Sequence, residues 1–354
     1  IINTKTTQKV LNNMTSKKKL INFSDRIFIA GAAGLVGSSL KKLFIEKGYG
    51  KIDKRGIILS PSRKELDLTN SLEVENWFKK NNPDIVVIAA AKVGGIIANS
   101  NNPVNFLLEN LKIQNNIIES SWKNGVRRLL FLGSSCIYPK ESIQPIKEEY
   151  LLNNSLEKTN EAYAIAKIAG LKLCEYLRRQ YKFDAFSLMP SNLYGPGDNY
   201  NLQNSHVLPA LIYKFHKASI TNQRELTCWG TGKPLREFLF VNDLADACIF
   251  ALENWDFEKD IFPTDNNKNK LSWINIGSKE EITIFDLAKK IAKLTNYTGI
   301  INWDQSKPDG TFRKKLDISN ATYLGWESKT TLDQGLKITY QNFLKNYSTK
   351  KLKK

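Results

Sequence analysis

The sequence contains few cysteines and histidines for its length. Among 354 residues there are four cysteines and two histidines. The cysteines are widely scattered and form no CxxC pair, so the sequence disfavours a disulfide framework or a zinc site and suits a reducing compartment. Two histidines are too few for a histidine-rich metal site. We therefore expect a cytoplasmic protein with no bound metal.

Long apolar runs are also lacking. No run approaches the roughly 18 residues of a membrane span, and the first residues show no apolar segment of the kind found in secretory signals. The hydrophobic and aromatic contents, 42% and 10%, are those of a globular chain. We expect a protein outside the membrane, with one large α/β domain and a smaller appended one.

Acidic residues are absent from both ends of the chain. The formal net charge is +17, with 52 basic and 35 acidic residues. Residues 1–24 contain five lysines and no acid, and residues 345–354 contain five more and no acid, which leaves +7 for the body. We expect a disordered basic extension (1–24) and a basic tail (346–354), not arms that bind nucleic acid. The mildly basic body favours an anionic substrate.

A glycine-rich turn follows the first predicted strand, Arg26–Ala30, and precedes a helix that runs to about Lys47. Its spacing is GxxGxxG, not the more specific GxGxxG. The prediction that it binds a dinucleotide therefore depends mainly on its position after the first strand. Glycines let backbone amides approach a pyrophosphate, and the helix N-terminus adds partial positive charge. We predict that this turn binds a dinucleotide through Gly31, Ala32, Ala33, Gly34, Leu35, Val36 and Gly37.

The second predicted strand, residues 56–59, should end beside the adenosine ribose. An NAD site places an acid there to bond the 2′-hydroxyl, but this chain reads Ser60-Pro-Ser-Arg63-Lys64 and has no acid before Glu65. A basic cluster suits a 2′-phosphate, so NADP is favoured, although a solvated loop is the alternative. Asp67 and Leu68 follow at a plausible distance to contact the adenine.

An apolar run, residues 128–132, ends abruptly in Gly133, Ser134, Ser135 and Cys136. A buried parallel strand has this pattern, and its C-terminal tip is where ligands bind in an open α/β sheet. Farther along, Tyr163 and Lys167 are four residues apart, so a helix places them on one face. We expect these side chains to form the centre of a site.

Strands and helices alternate through residue 190, which is typical of a doubly wound parallel sheet. We predict an α/β fold with a Rossmann-type NADP-binding domain at 25–195. A smaller C-terminal α/β substrate domain should occupy most of 196–345, with some segments returning to the main sheet. The polar insertion at 256–270 is expected to be a surface loop.

Several motifs, in their order along the chain, resemble the extended short-chain dehydrogenase/reductase family across residues 26–345. Beyond the glycine-rich turn they are AAKVGGI at 90–96, GSSCIYP at 133–139, YAIAKIAG at 163–170, NLYGP at 192–196, NSHV at 204–207, WGTG at 229–232 and KPDG at 307–310. Any one of them occurs by accident. Together and in this order they form a strong signal.

Within this family the motifs are most similar to those of enzymes that convert GDP-4-keto-6-deoxy-D-mannose to GDP-L-fucose. The resemblance implies epimerisation at C3 and C5, followed by NADPH-dependent reduction of the C4 ketone. It assigns reduction to Ser134, Tyr163 and Lys167. Hydride delivery leaves charge on the ketone oxygen, and a tyrosine can supply the proton there if a nearby ammonium lowers its pKa.

Epimerisation requires one group to remove a proton from one face of the sugar and another to return a proton to the opposite face. The resemblance assigns these two roles to Cys136 and His206. A small buried hydrophobe is the alternative for Cys136, and a structural role is the alternative for His206. The remaining cysteines, together with His216, are taken as structural.

Further contacts follow from the same resemblance. It implies that the cofactor is also lined by Leu132, Gly133, Ser134, Ser135, Lys167, Pro190, Ser191, Asn192, Leu193 and His206. It implies that the GDP-sugar is bound by Lys214, Trp229, Arg236 and Asp309, although Trp229 is also a candidate core residue. It further implies a homodimer through a four-helix interface formed by helices 103–121 and 161–181.

The sequence departs from the family pattern at two places. Some members carry an arginine for the 2′-phosphate where this chain has Ala32 and Ala33, so NADP selection is expected to depend mainly on Arg63. At 214 the chain has lysine where others have arginine, which loses bidentate contact with the substrate.

Two alternative functions are open to a chain with these motifs. A nucleotide-sugar 4-epimerase or dehydratase of this family would use NAD, and a dehydratase normally carries a carboxylate beside the catalytic serine, where this chain has Ser135 and Cys136. A cofactor-sensing regulator on the same fold would tend to lose the tyrosine or lysine, but Tyr163 and Lys167 are both present.

Overall fold

The computed structural model describes residues 20–351 except 203, 260, 261, 266 and 308. The predicted basic extension lies outside the described residues at 1–19, as does the predicted tail at 352–354. Within the described part, Ile21 is already buried in the main core. The Leu20 amide donates to the Glu253 carbonyl oxygen at 3.2 Å.

A six-stranded parallel sheet forms the centre of the molecule, in the order β2-β1-β3-β4-β5-β9. Its strands are β1 (Arg26–Ala30), β2 (Ile57–Leu59), β3 (Ile85–Ile88), β4 (Arg128–Leu132), β5 (Ala185–Pro190) and β9 (Trp273–Ile276). Strands β3, β4 and β5 are buried along their whole length, as expected for strands covered on both faces. The strand order changes direction at β1, and ligands bind in the crevice at such a switch point.

Helices cover both faces of this sheet. They are α1 (Leu35–Glu46), α2 (Ser71–Asn81), α3 (Ile96–Asn101), α4 (Pro103–Lys123), α5 (Glu161–Tyr181), α7 (Val241–Asn254) and α9 (Ser319–Leu324). Helix α1 packs against α7, and α4 packs against α2 and α5. The predicted doubly wound α/β fold is confirmed.

The other strands form a second layer with its own core. Strand β8 (Leu235–Phe240) pairs with β6 (Asn192–Tyr194), β10 (Glu281–Thr283) and β12 (Arg313–Lys314), and β7 (Glu225–Trp229) pairs with β11 (Ile300–Asp304). Helices α6 (Val207–Ile220), α8 (Ile284–Leu294) and α10 (Leu332–Lys351) accompany them. Residues such as Ile212, Phe215 and Leu287 form a core cluster separate from the main one.

The described residues of the polar insertion at 256–270 form no helix or strand, but Phe262 is buried and Phe257 is half-buried. Phe257 stacks on Trp255 with ring centroids 5.4 Å apart, and the buried Phe262 packs beside them. The Arg178 guanidinium lies 3.3 Å from the centroid of the Phe257 ring. This segment therefore contributes to the core as well as to the surface. Among the helices of the described ranges, none has an apolar stretch long enough to cross a bilayer.

Candidate active site

The turn after β1 needs glycine at two positions because neighbouring backbone leaves no room for a side chain. Gly31 has φ +83°, and a Cβ there would lie 2.7 Å from the Cα of Ala90. A Cβ on Gly37 would lie 2.1 Å from the Gly31 carbonyl oxygen. The turn therefore packs closely against the end of β3 and brings α1 to the edge of the sheet.

The N-terminus of α1 is open to an anion. Its N-cap residue, Gly34, makes no side-chain cap, and the first turn contains no acidic residue. The first amides of a helix have no partner within the helix and carry partial positive charge. The amides of Leu35, Val36 and Gly37 are therefore available to a pyrophosphate, and this turn fits a dinucleotide.

The tip of β2 is basic. The Lys41 ammonium, on α1, donates to the Ser60 hydroxyl at 2.9 Å, and Arg63 is exposed nearby in the chain. The Glu65 carboxylate accepts from the Ser62 amide at 2.7 Å. Arg63 was predicted from the sequence, and Lys41 was not. The one sequence feature that points to Lys41 as a basic neighbour of this tip is its position on the helix after the glycine-rich turn.

Asp67 and Leu68 lie just beyond this tip. The Asp67 carboxylate accepts from the amide and hydroxyl of Thr69 at 2.9 and 2.8 Å. These two bonds lower the pKa of Asp67. The Leu68 carbonyl accepts from the Asn116 side chain at 3.0 Å. Both residues are thus fixed by the protein, and their half-buried side chains remain beside the β2 edge.

At the tip of β4, one turn orients both polar side chains. Ser134 is extended, with φ −160°, and precedes a 3₁₀ turn at Ser135–Ile137. Its hydroxyl accepts from the Cys136 amide at 3.2 Å. A Cβ on Gly133 would lie 2.2 Å from the Met189 sulfur. Glycine at 133 therefore lets β5 approach β4 closely. The strand ends before this glycine, and Ser134 and Cys136 follow it, one as the N-cap of the 3₁₀ turn and one within it.

Tyr163 and Lys167 project from α5 toward this tip. The buried Lys167 ammonium donates to the Leu132 carbonyl at 2.8 Å and lies 5.9 Å from the centre of the Tyr163 ring. Burial lowers the pKa of Lys167 to about 7. Burial also raises the pKa of Tyr163, the nearby Cys136 thiolate adds to this effect, and a hydrogen bond with Ser134 opposes it.

Lys167 was expected to lower the pKa of Tyr163, but in the protein alone this pKa is raised. Desolvation has the larger effect and acts upward, because burial disfavours the charged phenolate. At neutral pH the phenol therefore keeps its proton.

Cys136 is a free, half-buried thiol surrounded by donors. The Asn160 side-chain amide donates to its sulfur at 3.4 Å, and the Lys314 ammonium lies 3.8 Å from the same sulfur. Burial lowers the pKa of Arg236, and the charges of Cys136 and Asp309 oppose this shift, so the thiol lies within electrostatic range of Arg236. Asn160 and Lys314 were missed because their sequence positions do not reveal their proximity.

His206 is the N-cap residue of α6 and is exposed. Its loop rests on Gly95, whose amide donates to the Asn204 carbonyl at 3.1 Å. A Cβ on Gly95 would lie 2.6 Å from the Ser205 carbonyl oxygen. Although water reaches the imidazole, protein atoms surround much of it, and this partial desolvation lowers its pKa. The ring is therefore neutral at pH 7.

Helix α3 links the loop of His206 to the surroundings of Cys136. It begins directly after Gly95, and the Ser100 hydroxyl donates to the Thr159 carbonyl at 3.4 Å, next to Asn160. Several buried polar atoms here have no hydrogen-bond partner among the described residues. They are Asn99 Oδ1, Thr159 Oγ1, Asn160 Oδ1 and Ser205 Oγ. Buried polar groups normally have partners, so these atoms suit a polar ligand or water.

The end of β5 forms the other side of the cofactor edge. The Ser191 amide donates to the Ile276 carbonyl at 2.9 Å, while its buried hydroxyl has no partner in the described part of the chain. The Asn192 side chain donates to the Glu237 carbonyl at 2.9 Å. Pro190 is buried, Leu193 is half-buried, and Ser135 is buried at the neighbouring tip. The Ser191 hydroxyl is therefore a free polar contact for a ligand.

On the substrate side, Asp309 fixes the turn after β7. Its two carboxylate oxygens accept from the amide and the hydroxyl of Thr231, each at 2.7 Å. The Arg236 guanidinium donates to the carbonyl oxygens of Leu235 and Asp309 at 2.8 and 3.4 Å. Arg236 and Asp309 thus lie together, but the Asp309 carboxylate already accepts two bonds from the protein.

Lys214 and Trp229 form a second pair. The Lys214 ammonium lies 5.1 Å from the centre of the Trp229 ring and 3.4 Å from the Thr227 carbonyl oxygen. Trp229 is 47% exposed, so the core alternative considered for it does not apply. An exposed aromatic face beside a cation suits an anionic ligand that carries a ring.

The other histidine and the other cysteines are packed within the protein. The His216 Nδ1 lies 2.9 Å from the Tyr340 hydroxyl, and the ring packs among aromatic side chains. Cys174, Cys228 and Cys248 are buried, and burial raises the pKa of each thiol. In the ranges that the structure describes, no cluster of three or more histidine, cysteine or acidic side chains could hold a metal ion.

The chain is similar to known proteins. The family model described as the NAD dependent epimerase/dehydratase family matches residues 27–262. GDP-L-fucose synthase 1 of Arabidopsis thaliana is 48% identical over 323 residues, which cover 91% of this chain and 94% of that protein. The GDP-L-fucose synthase of Escherichia coli (strain K12) is 47% identical over 321 residues, which cover 91% and 97%.

A solved structure is also similar to this chain. It is a GDP-L-fucose synthetase from Naegleria fowleri bound to NADP, with a TM-score of 0.79 and 28% identity, covering 94% of this chain and 98% of that one. The family model matches well over half of the chain, and both relatives above exceed the identity at which family membership is secure. The resemblance to extended short-chain dehydrogenases/reductases is confirmed, and the chain belongs to the NAD dependent epimerase/dehydratase family.

Proposed function

We propose that this chain converts GDP-4-keto-6-deoxy-D-mannose to GDP-L-fucose, by epimerisation at C3 and C5 and NADPH-dependent reduction of the C4 ketone. The observation that carries this proposal is the free Cys136 thiol two residues beyond Ser134, beside Tyr163 and Lys167. GDP-L-fucose synthases that are 47–48% identical over 91% of the chain support it.

The cofactor is NADPH, which supplies the hydride when bound. The uncapped N-terminus of α1 offers its amides to the pyrophosphate. The basic tip of β2, with Arg63, suits a 2′-phosphate, and the unpartnered Ser191 hydroxyl suits the other end of the cofactor. NADP in the Naegleria fowleri structure supports this assignment.

Cys136 and His206 carry the epimerisation. Protons next to the C4 ketone are acidic because the resulting enolate is delocalised onto its oxygen. Cys136 takes a proton from one face of the ring, and His206 returns one to the other face. The Asn160 amide stabilises the thiolate form by donating to its sulfur, and Lys314 adds positive charge at 3.8 Å. The lowered pKa of His206 leaves the ring neutral at rest, so this exposed imidazole first takes up a proton from water and, as the imidazolium, returns it to the sugar.

Tyr163 carries the proton transfer of the reduction. As the C4 oxygen gains negative charge, the phenol donates its proton to it, and a raised pKa ensures that this proton is present at neutral pH. Ser134, whose hydroxyl opposes the rise in the Tyr163 pKa, donates to the same oxygen. Lys167 holds the nicotinamide ribose and places positive charge beside the developing phenolate.

The nucleotide part of the substrate lies over the second layer. Arg236 and Lys214 contact the pyrophosphate or sugar oxygens, and the exposed Trp229 ring contacts the substrate beside Lys214. Asp309 contributes in two ways: it holds the turn that carries Thr231, and it offers remaining lone pairs to hydroxyl groups.

The test is a direct assay of the purified chain with GDP-4-keto-6-deoxy-D-mannose. We expect NADPH to be consumed and GDP-L-fucose to form, with NADH much less effective. A matched reaction without the keto sugar controls for spontaneous oxidation. Absence of NADPH consumption with this substrate would contradict the proposal. A product that is reduced but not epimerised would contradict the proposed epimerase activity and support the reductase activity alone.

The active form is proposed to be a cytoplasmic homodimer built on α4 and α5. Each helix presents an outward apolar stripe, with Leu108 50% exposed on α4 and Ile165 and Tyr176 44% and 46% exposed on α5. The free cysteines suit a reducing compartment. Light scattering should give twice the chain mass, and Ile165→Lys should shift it to the monomer mass. A monomeric wild-type chain would contradict the dimer.

A further inference from the structure

We infer that Lys41, together with Arg63, holds the adenosine 2′-phosphate and gives this chain its preference for NADP over NAD. This inference rests on the proposed use of NADPH and names the residues that would enforce it. Its basis is the position of the Lys41 ammonium, which donates to the Ser60 hydroxyl at 2.9 Å. Ser60 is the first residue after β2.

The sheet topology places this contact at the adenosine ribose. In a doubly wound fold, the ribose of the dinucleotide lies just beyond the end of the strand that follows the glycine-rich turn and its helix. Here that strand is β2, which pairs in parallel with β1. The Lys41–Ser60 contact therefore lies where an NAD-specific protein would place its acidic residue.

Lys41 reaches this edge although it lies seven residues into α1. Side chains on a helix lean toward its N-terminus, and the N-terminus of α1 faces the C-terminal ends of the strands, since α1 follows β1 directly through the Gly31–Gly34 turn. The long lysine side chain spans the remaining distance, because its ammonium contacts Ser60. The Lys41 charge therefore lies at the C-terminal edge of the sheet, at the end of β2.

The Lys41 charge is not neutralised by the protein. In the described part of the chain no carboxylate pairs with it, whereas its neighbour Lys42 pairs with Glu46 at 3.7 Å. The first acids after the tip of β2 accept from local donors, Glu65 from the Ser62 amide and Asp67 from Thr69. An unpaired ammonium and a guanidinium near one strand tip attract a dianionic phosphate.

The same geometry accounts for the alanines in the glycine-rich turn. Ala32 and Ala33 carry no charge, so the turn itself supplies no cation to the 2′-phosphate. Lys41 and Arg63 approach the ribose from two other segments, the body of α1 and the loop after β2. The Ser60 hydroxyl accepts from Lys41 and can donate its own hydrogen to a phosphate oxygen.

The experiment measures equilibrium binding of NADPH and of NADH by calorimetry, without sugar substrate. The variants are Lys41→Gln, Arg63→Gln and the matched control Lys42→Gln, which removes the same charge one residue away. We expect Lys41→Gln to weaken NADPH binding roughly 10- to 100-fold, the scale of a lost charge-assisted bond, and to leave NADH binding unchanged. Lys42→Gln should change neither affinity, and Lys41→Arg should retain the preference.

The possible failures are distinguishable. Unchanged NADH binding by Lys41→Gln shows that the variant is folded. A wild-type preference for NADPH that survives in Lys41→Gln would overturn this inference and leave the proposed function intact. Equal affinity of the wild-type chain for both nucleotides would overturn the cofactor assignment itself, and this inference with it.

Discussion

At the tip of β4, Ser134 is the N-cap of the 3₁₀ turn that contains Cys136, and a single hydrogen bond between the two residues orients both. At the substrate side, the Thr231 turn is held by Asp309, which lies 78 residues farther along the chain. The catalytic tip is thus determined by local backbone geometry, whereas the substrate side is assembled from distant segments. A substitution at the tip should change chemistry, and one at the substrate side should change binding.

The largest expected effect tests the chemical half of this contrast. Tyr163→Phe removes the proton donor and little volume, so NADPH oxidation with the keto sugar should fall on the order of 10²- to 10⁴-fold, the usual scale for general acid catalysis. Exchange of the C3 and C5 protons with solvent should continue, because that step belongs to Cys136 and His206. Stopped-flow absorbance and NMR in D₂O measure the two activities.

Lys167→Met is a matched variant for this experiment, since it removes the buried ammonium and leaves the phenol in place. If Tyr163→Phe stopped proton exchange as completely as reduction, the two chemistries would share one residue. The division of the β4 tip into two functions would then be wrong.

The next effect tests the substrate side. Asp309→Ala removes both acceptors that hold Thr231, so we expect KM for the GDP-sugar to rise roughly tenfold or more, in line with the loss of hydrogen bonds to a charged group. The value of kcat should change much less. Asp309→Asn keeps a carbonyl acceptor for the Thr231 amide and should have an intermediate KM. A fall in kcat at unchanged KM would place Asp309 in the chemistry instead.

The smallest effect on activity concerns a buried carboxylate outside the catalytic tip. The buried Glu148 carboxylate accepts from the Asn275 amide at 2.9 Å and from the Asn320 side chain at 3.1 Å. Burial raises its pKa from 4.5 to about 7. Between these two values the folded protein binds a proton that the unfolded chain has released, so the free energy of unfolding falls as pH rises through this window.

Urea unfolding at pH 5 to 8 measures this dependence. The wild-type chain should lose roughly 1–3 kcal/mol more stability over that range than Glu148→Gln, since each unit of pKa difference corresponds to about 1.4 kcal/mol. Parallel curves for the two proteins would show that Glu148 titrates at its ordinary pKa. Reduction measured at pH 7 should be nearly equal in both, because the tip itself is locally determined.

Sequence reasoning predicted the elements that depend on local patterns. Helix 161–181 and the strand ending at Leu132 were placed correctly, because apolar periodicity and the abrupt change to polar residues define them. The aromatic packing of the 256–270 insertion was not predicted. Its polar composition indicated a surface loop, and the contact of Phe257 with Arg178 depends on tertiary structure.

The candidate site follows the same rule. Ser134, Cys136, Tyr163 and Lys167 lie in two continuous motifs, so their proximity could be inferred. Other neighbours of the site come from remote segments. The Lys314 ammonium and the Cys136 sulfur are 178 residues apart in sequence, and Lys41 reaches Ser60 from a different element. Such neighbours become visible when the fold brings the segments together, and no spacing rule encodes them.

The most direct test of the account is proton exchange by Cys136→Ser. The variant is incubated with GDP-4-keto-6-deoxy-D-mannose in D₂O, and NMR follows deuterium entering C3 and C5, beside the wild-type chain and Tyr163→Phe. We predict that exchange is slowed on the order of 100-fold or more in Cys136→Ser and continues in Tyr163→Phe. Exchange at the wild-type rate in Cys136→Ser would contradict the assignment of Cys136 and, with it, the division of labour at the tip of β4.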